Sequence, residues 1–364
     1  MLLARPNKQA STQARVEQLL AWFGMATEDR HRLRVVEANM DLPALGLEQE
    51  QYDELAQGTD EIIHCASNTS FSERKRQEIE KANIKGVEHI LALAVRGRCY
   101  FFHHVSTAYV GGKKTGACRE EFVETAEFTN VYEETKHYGE QILRGRCGNE
   151  GIRLNVYRPS IVYGSSQDGR SLRFNALYYP LRTILFLKNL FMTDIKEDGG
   201  KKAAQMGVKM GKDGSLHLPL RLEAGNGSGI NVIPVDFFVK AFMEIMDIGL
   251  EGDVFHIVNE RSKSIDELAA YTARYFNLEG IEAVHAKDLD KQSRSNLEIL
   301  FDTYVEAYKP YMRDKRVFHN EKTRSILEKK NITCPDLDYE VFAKCMQYAI
   351  DTGWGKYLFE QQRG

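Results

Sequence analysis

The strongest constraint on the fold is a repeated alternation of short apolar runs with longer helical ones in the amino-terminal third. Arg34-Val-Val-Glu37 and Glu61-Ile-Ile-His64 are strand-like, with a helix from Gln49 to Ala56 between them. A longer helix from about Glu73 to Val95 leads into a strand over Cys99 to His104. This βαβ rhythm predicts a doubly wound parallel α/β sheet, whose ligand cleft lies at the carboxyl ends of its strands. Asn83 falls inside the long helix, where an amide competes with the backbone.

The chemistry concentrates just beyond. Val105-Ser106-Thr107-Ala108-Tyr109-Val110 reads as a strand ending in a turn, and Tyr132-Glu-Glu-Thr-Lys136 opens a helical pattern. Spacing of four on a helix puts the phenol and the ammonium on one face. A Lys beside a Tyr favours the phenolate and is expected to lower its pKa from about 10, so that Tyr132 can exchange a proton with a substrate oxygen held by Thr107. Tyr109 and Lys113 also stand four apart, but Gly111 and Gly112 lie between them. Leu154 to Gly164 follows as an apolar strand running through Arg158-Pro159-Ser160 into a turn.

The order strand, Thr107, helix with Tyr132 and Lys136, strand, Arg158-Pro159-Ser160 resembles an extended short-chain dehydrogenase/reductase. Within that group the chain is most similar to the thioester-reductase and fatty-acyl-CoA reductase branch, the male-sterility-type NAD-binding proteins. The resemblance runs from Leu2 to Pro6, through Asp41 to Leu47, Ile63 to Ser67, Asn83 to Gly86 and His104 to Val110, and on through Val232 to Asp236. It implies a Rossmann-like fold, with Asn83 bracing neighbouring strands. It further implies Thr107, Tyr132 and Lys136 as catalytic residues, with Lys136 also holding the ribose hydroxyls. Hydride would pass from a nicotinamide to the carbonyl carbon of an acyl thioester on coenzyme A or a carrier protein, giving an aldehyde or alcohol.

By the same resemblance Arg5, Asn39, Met40, Ala66, Arg158, Pro159 and Ser160 join Lys136 in binding the cofactor. Arg5 occupies the place of the family's Arg that meets a 2′-phosphate, for which a guanidinium is well shaped, so NADP(H) is preferred to NAD(H). Asn39 retains an amide able to meet a purine edge. The family's opening strand, Gly-x-x-Gly-x-x-Gly turn and first helix have no counterpart before Met1-Leu-Leu-Ala-Arg5, which resembles the second strand. A dinucleotide's pyrophosphate normally rests on such a turn. A start placed downstream of the natural one is preferred over a remodelled fragment or a variant that has given up the dinucleotide.

The expected organisation is a Rossmann-like region over 1–164, lacking its first βα unit, and a mainly substrate-binding region over 165–364. The segment 230–258 is expected to return to the main sheet, with Asp236 capping a helix and a capping box at Ser264 and Glu267. Asp194 to Gly229, rich in Gly and Lys, reads as a loop, lid or disordered insertion that includes a strand-like Leu216 to Leu222. Beyond it the chain reads as helical and tyrosine-rich. Leu177 to Met192 is the most membrane-like run, but it is short and carries Arg182 and Lys188. It suits an acyl-pocket wall, a lipid-resting surface or plain core.

With 364 residues, a net charge of −3 and a pI near 6.4, no electrostatic case exists for nucleic acid. Six cysteines without Cys-x-x-Cys spacing point to free thiols in a cytoplasmic protein, and no metal site is expected. Neither a signal peptide nor a transmembrane span is expected; peripheral membrane contact and oligomerisation stay open. A sugar-nucleotide or sterol-type dehydrogenase or epimerase would keep Thr107, Tyr132 and Lys136 on the same scaffold. A non-catalytic descendant acting as a binding protein is the other alternative.

Overall fold

The computed structural model describes residues 1–6, 10–124, 126–225, 229–248, 252–289 and 293–358. Strand β1 (Leu2–Ala4), helix α1 (Thr12–Trp22), β2 (Val35–Glu37), α2 (Gln49–Gln57) and β3 (Glu61–His64) follow the alternation read in the sequence. The next helix is interrupted. α3 (Arg76–Glu80) and α4 (Gly86–Gly97) flank a π-helical turn over Lys81–Lys85, an insertion that turns one residue out of helical register. The turn presents buried Asn83, whose Oδ1 accepts from Asn68 N at 2.7 Å and whose Nδ2 donates to Thr135 Oγ1 at 3.0 Å. Asn83 therefore braces the loop after β3 against the helix α5 (Val131–Glu150).

β4 (Phe101–Val105) and β6 (Arg153–Pro159) continue the main sheet. β5 (Gly116–Cys118) lies outside it, and β7 (Ile161–Tyr163) follows the turn at Ser160. β3, β4 and β6 run parallel, with His64 opposite His104 and Val105 opposite Tyr157. β1 and β2 form a separate parallel pair. The doubly wound sheet is thus present as two pieces. A cavity of about 2690 Å³ reaches between them, with Leu2, Leu3 and Ala4 on one wall and Ile62, Ile63 and His64 on the other.

The stretch read as a loop or insertion is folded wherever it is described. α6 (Tyr178–Glu197) extends past Asp194, α7 (Lys201–Gln205) follows, and β8 (Lys209–Met210) pairs antiparallel with β9 (Leu216–Ala224). In β9, Leu216, Leu218 and Leu220 are buried and alternate with half-buried His217, Pro219 and Arg221, the period-two pattern of a strand with one covered face. Residues 226–228 of that stretch lie outside the described residues.

β10 (Val232–Pro234) pairs with β7, and α8 (Val235–Asp247) leads to β11 (Val254–Ile257), which adds to β6 in parallel. Asp236 does not cap α8. It sits inside the first turn, and its carboxylate accepts from Ser166 N at 2.8 Å and Ser166 Oγ at 2.6 Å, tying down the loop after β7.

α9 (Ile265–Phe276) begins with the expected capping box, Ser264 and Glu267 exchanging both bonds. The remainder is not all helical. β12 (Leu278–His285) runs parallel to β9, ahead of α10 (Ala286–Leu289), α11 (Asn296–Val305) and α12 (Lys309–Met312). β13 (Arg316–Phe318) pairs with β5, and α13 (Glu321–Glu328) and α14 (Tyr339–Asp351) close the fold. α6, β9, α9, α11 and α14 share one apolar cluster, to which Leu187, Leu218, Leu268, Phe301 and Phe342 contribute. No described helix is long and apolar enough to cross a membrane.

Candidate functional site

β4 delivers its last residues to the carboxyl edge of the sheet, where Thr107 caps the short turn Ala108–Gly111 and its Oγ1 accepts from Tyr109 N at 3.3 Å. Helix α5 starts nearby because Asn130 caps it, accepting from Glu133 N at 3.1 Å. Tyr132 then lies in the first turn and Lys136 one turn later, on the face toward β4. Lys136 Nζ donates to Val105 O at 2.7 Å, and the Thr107 hydroxyl is placed to favour ionisation of the Tyr132 phenol. All three side chains line the cavity. Tyr109, by contrast, belongs to the turn, and its ring stacks on Arg316.

The electrostatics differ from the expectation at one point. Burial pushes the Tyr132 phenol up to about 12; the Thr107 hydroxyl opposes that shift and Glu133 adds to it. The opposing contribution comes from Thr107 rather than from Lys136, whose ammonium is engaged by Val105. Burial also brings Lys136 down to about 8, against the attraction of Glu140 and Cys65. Tyr132 is therefore a protonated acid over the whole physiological range.

Of the cofactor candidates, Arg5, Met40, Ala66, Pro159 and Ser160 line the cavity. Arg5 is exposed at one end of it, 3.8 Å from Asp41. Ser160 Oγ and Ser106 Oγ are buried without a hydrogen-bond partner among the described residues, and both residues line the same cavity as Lys136. Two unspent hydroxyls and an ammonium on one cavity suit the hydroxyl-rich ribose of a nicotinamide nucleotide. No glycine-rich turn feeding a helix N-terminus lines the cavity among the described residues, so the fit concerns the ribose and the 2′-phosphate ends only.

Two candidates lie elsewhere. Asn39 Oδ1 accepts from Asp41 N at 3.1 Å, an Asx turn that uses the amide locally. Arg158 is 1% exposed and spends its guanidinium on Glu140, with Nε to Oε1 at 3.0 Å and Nη2 to Oε2 at 2.5 Å. Its Nη1 donates to Glu121 O at 2.8 Å. Arg158 is thus a buried counter-ion beneath the site. Glu140 was legible in principle, standing one turn beyond Lys136 on the same helical face.

Sequence reasoning also missed an aromatic group against Tyr132. Phe71 lies 5.9 Å from the Tyr132 ring and 5.5 Å from each of Tyr308 and Tyr311. Tyr311 OH donates to Glu133 Oε1 at 2.8 Å and accepts from Asn130 Nδ2 at 2.7 Å. The carboxyl-terminal segment therefore grips the helix start that carries Tyr132. Nothing local in the sequence links positions this far apart.

With this geometry in place, comparison with known proteins is decisive for the family. The male sterility protein profile matches residues 1–242, two thirds of the chain. The chain belongs to the male sterility protein family. As a member it is an oxidoreductase of the extended short-chain dehydrogenase/reductase type, built on a nicotinamide-nucleotide-binding fold. A linear gramicidin synthase of Brevibacillus parabrevis is 27% identical over 370 residues, covering 96% of this family member and 6% of that protein. This chain therefore spans a small part of that relative's length.

Two solved structures share its fold. The terminal R domain from the myxalamid PKS-NRPS biosynthetic pathway superposes with a TM-score of 0.72 at 18% identity, covering 97% of this chain and 84% of that one. A thiolation-reductase di-domain from an archaeal non-ribosomal peptide synthetase gives 0.66 at 16% identity, covering 97% and 70%.

Proposed function

We propose that this family member reduces an acyl thioester, carried on a carrier protein or coenzyme A, to the aldehyde with NADPH. The observation that carries the reading is the convergence of Thr107, Tyr132 and Lys136 on one cavity, which an aromatic group of Phe71, Tyr308 and Tyr311 in contact with Tyr132 also lines. An aromatic surface suits an acyl group, and a cavity of this size admits a pantetheine-like arm. One matched structure is, by its description, a reductase joined to a thiolation unit, which supports a carrier-borne thioester.

A bound reduced nicotinamide would supply the hydride that the thioester carbon takes up. As that carbon becomes tetrahedral, its oxygen gains negative charge, and Thr107 and Tyr132 are the donors that meet it. Tyr132 gives up the phenolic proton, leaving a hemithioacetal and a phenolate. Return of the hydroxyl proton to the phenolate lets the C–S bond break; the electron pair leaves with sulfur, which takes a proton to become the free thiol. Lys136, held by Val105 O, offers a further N–H to the ribose hydroxyls. Arg5 at the open end gives the preference for NADPH over NADH.

The test is NADPH oxidation followed by absorbance with an acyl-CoA or an acylated carrier, beside the same assay with NADH. Aldehyde formation matching NADPH loss, with NADH clearly poorer, is expected. A folded chain inactive on both thioester classes overturns the reading. Arg5→Ala should narrow the NADPH preference by about tenfold, the order of one phosphate contact.

A further inference from the structure

His64 and His104 sit opposite each other in the parallel register of β3 and β4. Both are nearly enclosed, at 4% and 1% exposure. Their rings stack with centroids 5.2 Å apart and planes 9° from parallel, and their Nδ1 atoms are 3.1 Å apart. The other nitrogen of His104, Nε2, lies 3.3 Å from Lys136 Nζ. Burial holds both imidazoles neutral, His64 falling to about 3 and His104 well below the ordinary histidine range.

Counting protons fixes the tautomers. An ammonium has three N–H groups and no lone pair, so His104 Nε2 must accept from Lys136. A neutral ring that accepts at Nε2 carries its proton on Nδ1, which therefore donates to His64 Nδ1. His64 in turn carries its proton on Nε2, an atom buried without a partner among the described residues. An unpaired buried donor costs about 1–3 kcal/mol. With Val105 O and His104 taking two N–H groups of Lys136, the third is left for the cavity that Lys136 lines.

We propose that His104 is a positioning residue that aims the Lys136 ammonium into the cavity and stabilises its charged form, and that His64 acts by fixing His104 in the accepting tautomer. The assignment concerns Lys136 of the proposed reductase site but depends on no substrate. Beyond one another, the titratable groups acting on the three residues among the described ones are Glu140 on α5, itself paired with Arg158 of β6, and Cys65 after β3. Glu140 and Cys65 favour the charged lysine, and burial opposes it. A neutral acceptor at His104 adds to the favourable side without adding charge.

The test is nitrogen-15 NMR of the histidines and carbon-13 titration of the Lys136 ε-carbon in the full chain, without cofactor or substrate. The expected result is a proton on Nδ1 of His104 and on Nε2 of His64. His104→Leu should lower the Lys136 midpoint by about one pH unit, and His104→Gln, whose Oε1 can stand where Nε2 was, should restore most of it. A proton on Nε2 of His104, or an unchanged midpoint in folded His104→Leu, overturns the proposal. If His104→Leu fails to fold, the native tautomers together with the His104→Gln midpoint still decide. Because neither readout involves turnover, failure here leaves the reductase reading standing, and an inactive chain with the expected tautomers fails only that reading.

Discussion

At the residue scale, the candidate site combines a phenol that stays protonated with a lysine that keeps its charge up to about pH 8. Tyr132, held up near 12 by burial, keeps its proton until an oxyanion basic enough to take it forms alongside. Tyr132→Phe should cut turnover by two to four orders of magnitude, about the usual worth of a positioned acid. Its far-ultraviolet circular dichroism should stay unchanged, because the lost hydroxyl supports no element. Lys136 titrates near 8, so kcat/KM should fall as pH rises through that value and the ammonium is lost. Stability runs the other way: the folded pKa lies below the unfolded value of 10.5, so the unfolded chain binds more protons in between. Lys136 thus adds stability as pH climbs from about 8 to 10.5.

Thr107, Tyr132 and Lys136 were legible as a motif because a helix fixes i and i+4 on one face and a strand end fixes its turn. The phenol's upward shift was not legible, since it comes from burial in the folded chain, where Phe71, distant in sequence, packs on its ring. Nor was the diversion of Arg158 to Glu140. A buried guanidinium takes the carboxylate within reach, and that pairing across α5 and β6 exists only once the helix has docked.

At the element scale, α5 is the keystone. Its start is held by Asn130, Tyr311 and Arg316, the last 3.4 Å from Glu133. Its middle is anchored to β6 through Glu140 and Arg158, both essentially inaccessible. Removing one partner strands the other charge in the core. Arg158→Met or Glu140→Gln should therefore cost about 3–5 kcal/mol in urea unfolding, a loss far larger than a solvent-exposed pair would give.

Elements with strong local periodicity were legible: β3, α2, α9 with its capping box, and the alternation in β9. The π-helical turn at Asn83 was not, because an amide inside a helix signals tension without saying how the backbone relieves it. β5, β13 and β12 were missed for a related reason. Three-residue strands have no measurable period, and the pairing of β12 with β9 is a long-range choice.

At the scale of the whole molecule, buried neutral histidines set the acid limit. His64 and His256 are held near 3 and His103 near 4 by burial, with His104 lower still than its ordinary range. All four lie below the unfolded value of 6.5, so the unfolded chain binds more protons whenever pH falls beneath it. Stability should decline steadily from about pH 6.5 toward 3, seen as a falling urea midpoint. A midpoint flat over that range would contradict the neutral assignments.

The two parallel sheet pieces and the cavity between them bring the carboxyl ends of β3, β4 and β6 to one cleft, which the βαβ rhythm anticipated. The measurement that tests the central claim most directly uses NADPH carrying deuterium at the transferable position of the nicotinamide, incubated with an acyl thioester and the full chain. Mass spectrometry of the product should show deuterium on the aldehyde carbon, abolished in Tyr132→Phe. A folded wild-type chain that yields no labelled aldehyde from either coenzyme A or carrier-borne thioesters would contradict the account.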